Sequence, residues 1–153
     1  MHGAAREFAE AKGYGPRAVD SCGWTLLHHA VAQSQNRRGM FEVVRGLLEA
    51  MPVEVVNQRT FGGTPTDWSA LSLVCNARDE ANERAEIVQL LVNKRAELEV
   101  RNAHGATPLI SACAVGVWSA VRVLLDARAD AFATNNRGRN ALDLTPRDQT
   151  KVV

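Results

Sequence analysis

The chain has 153 residues, of which 46% are hydrophobic and 23% charged, so it is long enough for one domain with a buried core. Its 18 Lys and Arg and 17 Asp and Glu give a formal net charge of +1, which argues against a large basic surface for nucleic acid or anionic lipid. Only 5% of the residues are aromatic, and small aliphatic residues suit closely stacked helices better than a β-sandwich.

Three widely separated cysteines, Cys22, Cys75 and Cys113, form no CxxC motif and have no metal-ligand spacing with a histidine pair. We therefore expect reduced thiols, no metal and no cofactor, in a cytoplasmic or nuclear protein. Residues 1–10 carry charges where a signal peptide would have an apolar run. The apolar stretch 106–121 is too short and too interrupted to span a bilayer, so we expect no membrane insertion.

An internal repeat of about 33 residues runs through the second half of the chain. The segments 95–105 and 128–138 both begin Arg-Ala-acid, carry Asn at the eighth position and end in Gly. An aliphatic run precedes each segment, at 87–91 and 121–125, and a similar run occurs at 43–48. Repeats of this length are typical of solenoids, in which stacked units share one continuous core.

Each unit also carries a helix-start signal two residues after a glycine. Threonine can cap free backbone N–H groups, and proline is favoured at the first helical position. The glycine allows the turn that leads into the helix. The spacing therefore predicts a turn, a short helix, a loop, a second helix and an extended hairpin in each unit. The signal residues are Gly23 and Thr25, then Gly62, Thr64 and Pro65, then Gly105, Thr107 and Pro108, and finally Gly138.

These units resemble the ankyrin repeat, whose pattern is D-x-x-G-x-T-P-L-H followed by E-I-V-x-L-L-L and G-A-D-V-N. The resemblance covers about residues 20–145. It implies an all-α solenoid of paired antiparallel helices with β-hairpin fingers. It also implies that His28, at the histidine of the pattern, ties neighbouring turns together by hydrogen bonds. Asp67 and Ile110 replace this histidine in the next two units, so we expect that series to be interrupted.

The predicted elements, in chain order, are a half repeat, three full repeats and a C-terminal half repeat with a tail. Their boundaries are 1–19, 20–58, 59–101, 102–134 and 135–153. Half repeats at both ends are typical of a fragment of a longer array or of an array with marginal ends.

The first two repeats are longer than the third. The glycines that anchor successive units lie further apart in the first two intervals than in the last. Counting from each capping threonine to the start of the second helix places the additional residues between the two helices, at 32–38 and 75–85. Two interpretations of these insertions stay open: solvated loops or extra helical turns, and a second docking edge.

By the same resemblance, partners bind the fingers and first helices, which form a concave face. Trp24 and Phe61 are the outstanding finger residues, since aromatic anchors dominate interface energies. Either they meet a partner or they pack on a neighbouring finger. The residues predicted to bind a partner are Ser21, Cys22, Trp24, Thr60, Phe61, Gly63, Ala103, His104, Ala106, Asn136, Arg137 and Arg139.

No catalytic site is predicted. Cys22 with His28 or His29 could be drawn as a nucleophile and a base, but no orienting group or oxyanion loop is identifiable. Adjacent helical residues such as His28 and His29 point about 100° apart, which disfavours a shared metal ion. Trp68 and Trp118 stand at helix positions that ankyrin repeats fill with leucine, and we expect both to pack in the core.

The predicted function is non-catalytic binding of another protein. A monomeric chain with a preformed, rigid concave surface loses little entropy on association. The alternative is a regulatory or targeting ankyrin module of a larger multi-domain enzyme or signalling protein. We expect no nucleic-acid partner. The fold by itself does not identify the protein partner.

Overall fold

The computed structural model describes residues 18–34, 40–61, 67–77 and 82–145. Almost all of the predicted N-terminal half repeat lies outside these ranges. Within them the regular elements are helices, and one isolated antiparallel bridge joins Val19 to Thr25. The helices are α1 (Leu26–Gln33), α2 (Met40–Ala50), α3 (Val53–Val56), α4 (Ala70–Cys75), α5 (Asn82–Asn93), α6 (Pro108–Val115), α7 (Trp118–Asp126) and α8 (Ala141–Leu144).

The helices form two rows. The inner row runs α1, α4, α6, α8, and the outer row runs α2, α5, α7, with each helix packed on the next in its row. Inner and outer helices of one repeat also pack together, as α1 with α2, α4 with α5 and α6 with α7. One continuous core of Ala, Val, Leu and Ile side chains fills the space between the rows. The predicted all-α repeat fold is therefore confirmed.

Every inner helix begins at a polar cap. The side-chain oxygen of the cap accepts the backbone N–H three residues further on, at 3.0–3.3 Å, which satisfies one of the N–H groups left free at the helix start. Pro108 occupies the first turn of α6, where its missing N–H costs nothing. The caps are Thr25, Ser69, Thr107 and Asn140.

A turn of common design precedes each cap, and we call these turns finger 1 (20–24), finger 2 (60–68), finger 3 (102–106) and finger 4 (135–139). In each, the first residue's N–H donates to the last residue's carbonyl oxygen, and the N–H of the residue before the last donates to the first residue's carbonyl oxygen, at 2.8–3.1 Å. Two bonds close each turn, and the described residues of the fingers form no regular strand, so the extended hairpins stay a prediction.

Finger 2 corrects the prediction for the second repeat. The helix predicted to start at Thr64 and Pro65 begins at Ala70 with Ser69 as its cap, so that start was wrong. The reason is that Thr60 closes its turn with Asp67 and Trp68, four residues later than the spacing of finger 1 requires. Gly62, Gly63, Thr64 and Pro65, which suggested the earlier start, lie outside the described residues.

With Ser69 as the cap of the second repeat, some of the residues that the sequence placed between two helices lie elsewhere. The stretch from Thr25 to Glu42 is as long as the stretch from Ser69 to Glu86, so the two insertions between helices are equal in length, and the remaining residues of the first interval lie mainly in finger 2. Ser72, and not Asp67, therefore stands at the position of His28. Trp68 is buried, as expected of a core residue, but it precedes the cap and does not lie in a helix.

Among the residues that the structure describes, three other than glycine have positive φ angles. Asp67 (φ 60°) takes the place that glycine holds in the other fingers, where φ is 70–74°. Arg95 (φ 59°) and Arg128 (φ 67°) follow the outer helices α5 and α7, at the glycine of the family's G-A-D sequence. An L-residue in this left-handed region costs about 1–2 kcal/mol, so each of the three positions carries local strain.

His28 is fully buried at the start of α1. Its Nδ1 accepts the backbone N–H of Thr25 at 3.1 Å, and it lies 2.7 Å from the Thr25 hydroxyl. Burial lowers the pKa of His28 from 6.5 to about 4. Backbone groups of Trp68 and Gln58 raise this pKa, but they offset only part of the fall. The histidine is therefore neutral at pH 7. Burial also raises the pKa of the free thiols of Cys75 and Cys113.

The buried His28 predicts a loss of stability in acid. Its folded-state pKa lies below its unfolded value, so its contribution is complete above pH 6.5 and declines as the pH falls toward 4, by about 3 kcal/mol in total. Urea denaturation at pH 7, 5.5 and 4.5 measures this decline. The variant His28→Gln cannot titrate there, so its free energy of unfolding should fall less than that of the wild type. Parallel profiles would contradict the assignment.

The strained Arg128 predicts a stabilising substitution. Arg128→Gly removes the Cβ that opposes a positive φ, and after the entropic cost of glycine we expect a gain of about 0.5–1 kcal/mol in the free energy of unfolding. Arg128→Ala keeps the Cβ and is the matched control, for which no gain is expected. Urea titrations of the three proteins measure the difference. A glycine variant no more stable than the alanine variant would refute the strain.

Candidate functional site

Side-chain caps hold three of the fingers rigid. The first residue of fingers 1, 3 and 4 is Asp or Asn, and one of its side-chain oxygens accepts the backbone N–H groups of the third and fifth residues at 2.8–3.1 Å. The side chain therefore satisfies two N–H groups of its own turn. The residues that do this are Asp20, Asn102 and Asn135.

Adjacent fingers also stack directly. The N–H of Phe61 donates to the carbonyl oxygen of Cys22, and the N–H of Asn136 donates to that of His104, both at 3.1 Å. The second residue of one finger thus bonds the third residue of the finger before it, in two separate pairs of repeats.

Glycine is required where these fingers meet. A Cβ built on Gly23 would lie 2.3 Å from the ring of Phe61, and one built on Gly105 would lie 2.1 Å from Oδ1 of Asn136 and 2.8 Å from its backbone nitrogen. The side chain of each incoming finger therefore lies directly on the preceding glycine. Gly138, the fourth residue of the last finger, has nothing within 4 Å of such a Cβ.

Two further series of bonds join the repeats below the fingers. Arg59 donates to the carbonyl oxygen of Arg101, and Arg101, at the equivalent position one repeat later, donates to that of Thr134. Oδ1 of Asn57 likewise accepts the N–H of Glu97 at 2.9 Å, and the equivalent Glu99 accepts that of Asp130 at 2.8 Å. The finger row is consequently fixed at its base as well as at its tips.

The structure leaves most of the predicted partner-binding residues accessible. Thr60 and Ala106 are buried, which corrects the prediction for these two: the Thr60 hydroxyl accepts the N–H of Trp68, and Ala106 belongs to the core. Gly63 lies outside the described residues. Cys22 and Trp24 are half-buried, and the exposed members are Ser21, Phe61, Ala103, His104, Asn136, Arg137 and Arg139.

The two aromatic residues differ in their surroundings. The ring of Trp24 packs inside its own repeat, 5.2 Å from the ring of His29 and 6.1 Å from that of His28. Phe61 lies over Gly23 and is still 65% exposed. Both the packing and the exposure interpretations therefore apply to Phe61, whereas Trp24 is mainly a packing residue.

Sequence reasoning missed the pair formed by Asp20 and His29. His29 Nε2 lies 3.0 Å from Oδ2 of Asp20, and the ring of Trp24 lies beside the imidazole, tilted by 41°. Burial raises the pKa of Asp20. The hydrogen bonds from the N–H groups of Trp24 and Cys22, together with the side chain of His29, lower this pKa by more than burial raises it, so the net shift is downward. The second histidine of the pair His28-His29 was the available signal.

The last two fingers form a groove of about 320 Å³. Two arginines and a histidine border it, and none of the described carboxylates lies within 4.0 Å of Arg137 or Arg139. Elsewhere in the described ranges no three His, Cys, Asp or Glu side chains are placed to hold a metal ion. None of the helices in those ranges is long and apolar enough to cross a membrane. The groove residues are His104, Asn135, Asn136, Arg137 and Arg139.

Several known proteins have sequences similar to that of this chain. The family profile described as "Ankyrin repeats (many copies)" matches residues 90–144. The chain is 33% identical over 104 residues to "Probable E3 ubiquitin-protein ligase XBOS32" of Oryza sativa subsp. japonica, which is 67% of this chain and 19% of that protein. It is 34% identical over 118 residues to "Probable E3 ubiquitin-protein ligase XBOS33" of the same plant, which is 75% of this chain and 21% of that protein.

A human relative extends the comparison. "Ankyrin repeat and KH domain-containing protein 1" of Homo sapiens is 42% identical over 65 residues, which is 42% of this chain and 2% of that protein. The chain thus spans about a fifth of the length of the two rice relatives and far less of the human one. The stacked helix pairs, the capped fingers and the profile match together show that the chain belongs to the ankyrin repeat family.

Proposed function

We propose that the chain is a protein-binding module whose concave face, formed by the four fingers and the inner helices, docks a partner protein. Ankyrin repeats generally mediate protein–protein interaction, and this chain belongs to the family. The proposal commits to the accessible finger residues from Ser21 to Arg139 and leaves out Thr60 and Ala106, whose side chains are buried.

The observation that carries this proposal is the rigidity of the finger row. Phe61 bonds finger 2 to finger 1, and Asn136 bonds finger 4 to finger 3. The side chains of Asp20, Asn102 and Asn135 close their own turns. A surface that is ordered before it binds gives up little conformational entropy on association, which favours affinity. The exposed ring of Phe61 supplies an apolar contact of the kind that dominates interface energies.

A second candidate function places the same face in a larger protein. Two relatives are named as probable E3 ubiquitin-protein ligases, and the chain corresponds to about a fifth of each. In this candidate the repeats contribute binding alone, as a regulatory or targeting module, and catalysis resides in another part of the protein. The two candidates predict the same docking face, so a test of the face serves both.

Site-specific photocrosslinking tests the face. Benzoylphenylalanine placed at His104 or Arg137, which are exposed finger residues, should crosslink a partner protein in cell extract. The same group at Glu86 or Arg122, which are exposed on outer helices α5 and α7, is the matched control and should give at most a tenth of that yield. Equal or stronger crosslinking from the outer helices would overturn the proposed face.

The purified partner then allows an energetic test. Phe61→Ala should weaken binding by about 2 kcal/mol or more, because a large exposed aromatic contact is lost. Isothermal titration calorimetry measures the affinity, and thermal unfolding of the free variant shows whether the repeat itself is weakened. A variant that binds as tightly as the wild type would remove Phe61 from the interface.

A further inference from the structure

We infer that the groove between fingers 3 and 4 receives an acidic, extended segment of the partner protein. This inference rests on the proposed function, since it names the chemistry of the partner at one end of the same face. The groove residues that would meet the segment are His104, Asn136, Arg137 and Arg139.

Two positive charges lie together in this groove without a described carboxylate beside either of them. Arg45 has Glu42 at 2.5 Å and Arg59 has Asp67 at 3.6 Å. Arg137 and Arg139 have no described carboxylate within 4.0 Å, although both are exposed. Among the described residues, no carboxylate therefore competes with an incoming anion for the two guanidinium groups.

Asp143, the acidic residue of the last repeat that the structure describes, is already engaged. Oδ2 of Asp143 accepts the N–H of Asn140 at 3.0 Å, and the N–H of Asp143 in turn donates to the side chain of Asn140. This reciprocal capping box holds the carboxylate at the start of α8. It stabilises the helix and leaves the arginines of finger 4 without an internal partner among the described residues.

The backbone that carries these arginines is fixed before any ligand arrives. Oδ1 of Asn135 accepts the N–H groups of Arg137 and Arg139 at 2.9 and 3.1 Å, and Asn136 bonds back to finger 3 through Ala103 and His104. Both guanidinium groups therefore extend from one closed turn. Because the turn is preorganised, binding orders only the two side chains and not the loop.

Carboxylates are the ligands that this arrangement favours. The planar guanidinium presents paired N–H donors that match the two oxygens of a carboxylate. A volume of about 320 Å³ accommodates a few side chains of an extended peptide and not a folded domain. The fingers lie in a row, so a segment seated here can continue toward the exposed ring of Phe61.

A nucleic acid fits the groove less well. Its affinity depends on neutralising many phosphates along a basic track, whereas the arginines here belong to one finger and the whole chain has a net charge of only +1. An acidic peptide can bind in the groove through only two or three charge pairs with its side chains. The inference therefore commits to a protein segment rich in Asp and Glu.

Fluorescence anisotropy with defined peptides tests the inference. The first peptide has twelve residues, of which four are Asp or Glu among Gly and Ser, and the second replaces every acid by Asn or Gln. The variant R137Q/R139Q removes the two groove charges. The matched control R122Q/R128Q removes two exposed arginines from α7 and the turn that follows it, so both variants have the same net charge.

The wild-type chain should bind the acidic peptide and not its amide counterpart. Each exposed charge pair contributes little, so R137Q/R139Q should weaken binding about tenfold and R122Q/R128Q less than twofold. Equal losses in the two variants would show attraction by net charge alone and overturn the site. Equal binding of the amide peptide would overturn the acidic partner.

Two further outcomes separate this inference from the proposed function. Tighter binding of a twelve-nucleotide single strand than of the acidic peptide, lost in R137Q/R139Q, would replace the protein segment by nucleic acid. Failure of the acidic peptide to bind at millimolar concentration would overturn the acidic partner. In that case, crosslinking from His104 or Arg137 would still support docking of a protein on the concave face.

Discussion

The contact between successive fingers is the constraint on which the rest of the structure depends. In two pairs, fingers 1 and 2 and fingers 3 and 4, one backbone hydrogen bond joins the fingers, and a side chain of the second finger lies on a glycine of the first. Gly23 and Gly105 meet two demands at once, because they have φ angles near +70° and they leave room for Phe61 or Asn136. A side chain at either glycine would push the fingers apart and so would disturb the surface that they form together.

The other bonds between repeats follow from this spacing. With the fingers in contact, the arginine and the side-chain acceptor at the base of each repeat reach the backbone of the next one, as Arg101 reaches Thr134 and Glu99 reaches Asp130. The core between the helix rows supplies the hydrophobic stabilisation, and the finger bonds set the orientation of the repeats. The surface of the fingers is therefore a property of neighbouring repeats together and not of any single turn.

The fold was predictable from the sequence because its signals recur at a constant offset, as at 95–105 and 128–138. The second repeat was misplaced because Gly62-Gly63-Thr64-Pro65 imitates the local signal of a helix start. The actual cap, Ser69, depends on Thr60 closing its turn with Asp67 and Trp68, which no local pattern reveals. The groove was not predictable for a similar reason, since His104 and Arg137 belong to successive repeats and meet only after stacking.

Amide hydrogen exchange at Asn136 tests the finger contact most directly. Gly105→Ala and Gly138→Ala impose the same strain of a positive φ, but only the first places a Cβ 2.8 Å from the Asn136 nitrogen. The amide of the buried Leu124, in outer helix α7, reports global unfolding in each protein. We expect the Asn136 N–H to exchange at least tenfold faster in Gly105→Ala than in Gly138→Ala, relative to Leu124. Equal exchange of Asn136 in the two variants would contradict the finger contact as the constraint that orders the array.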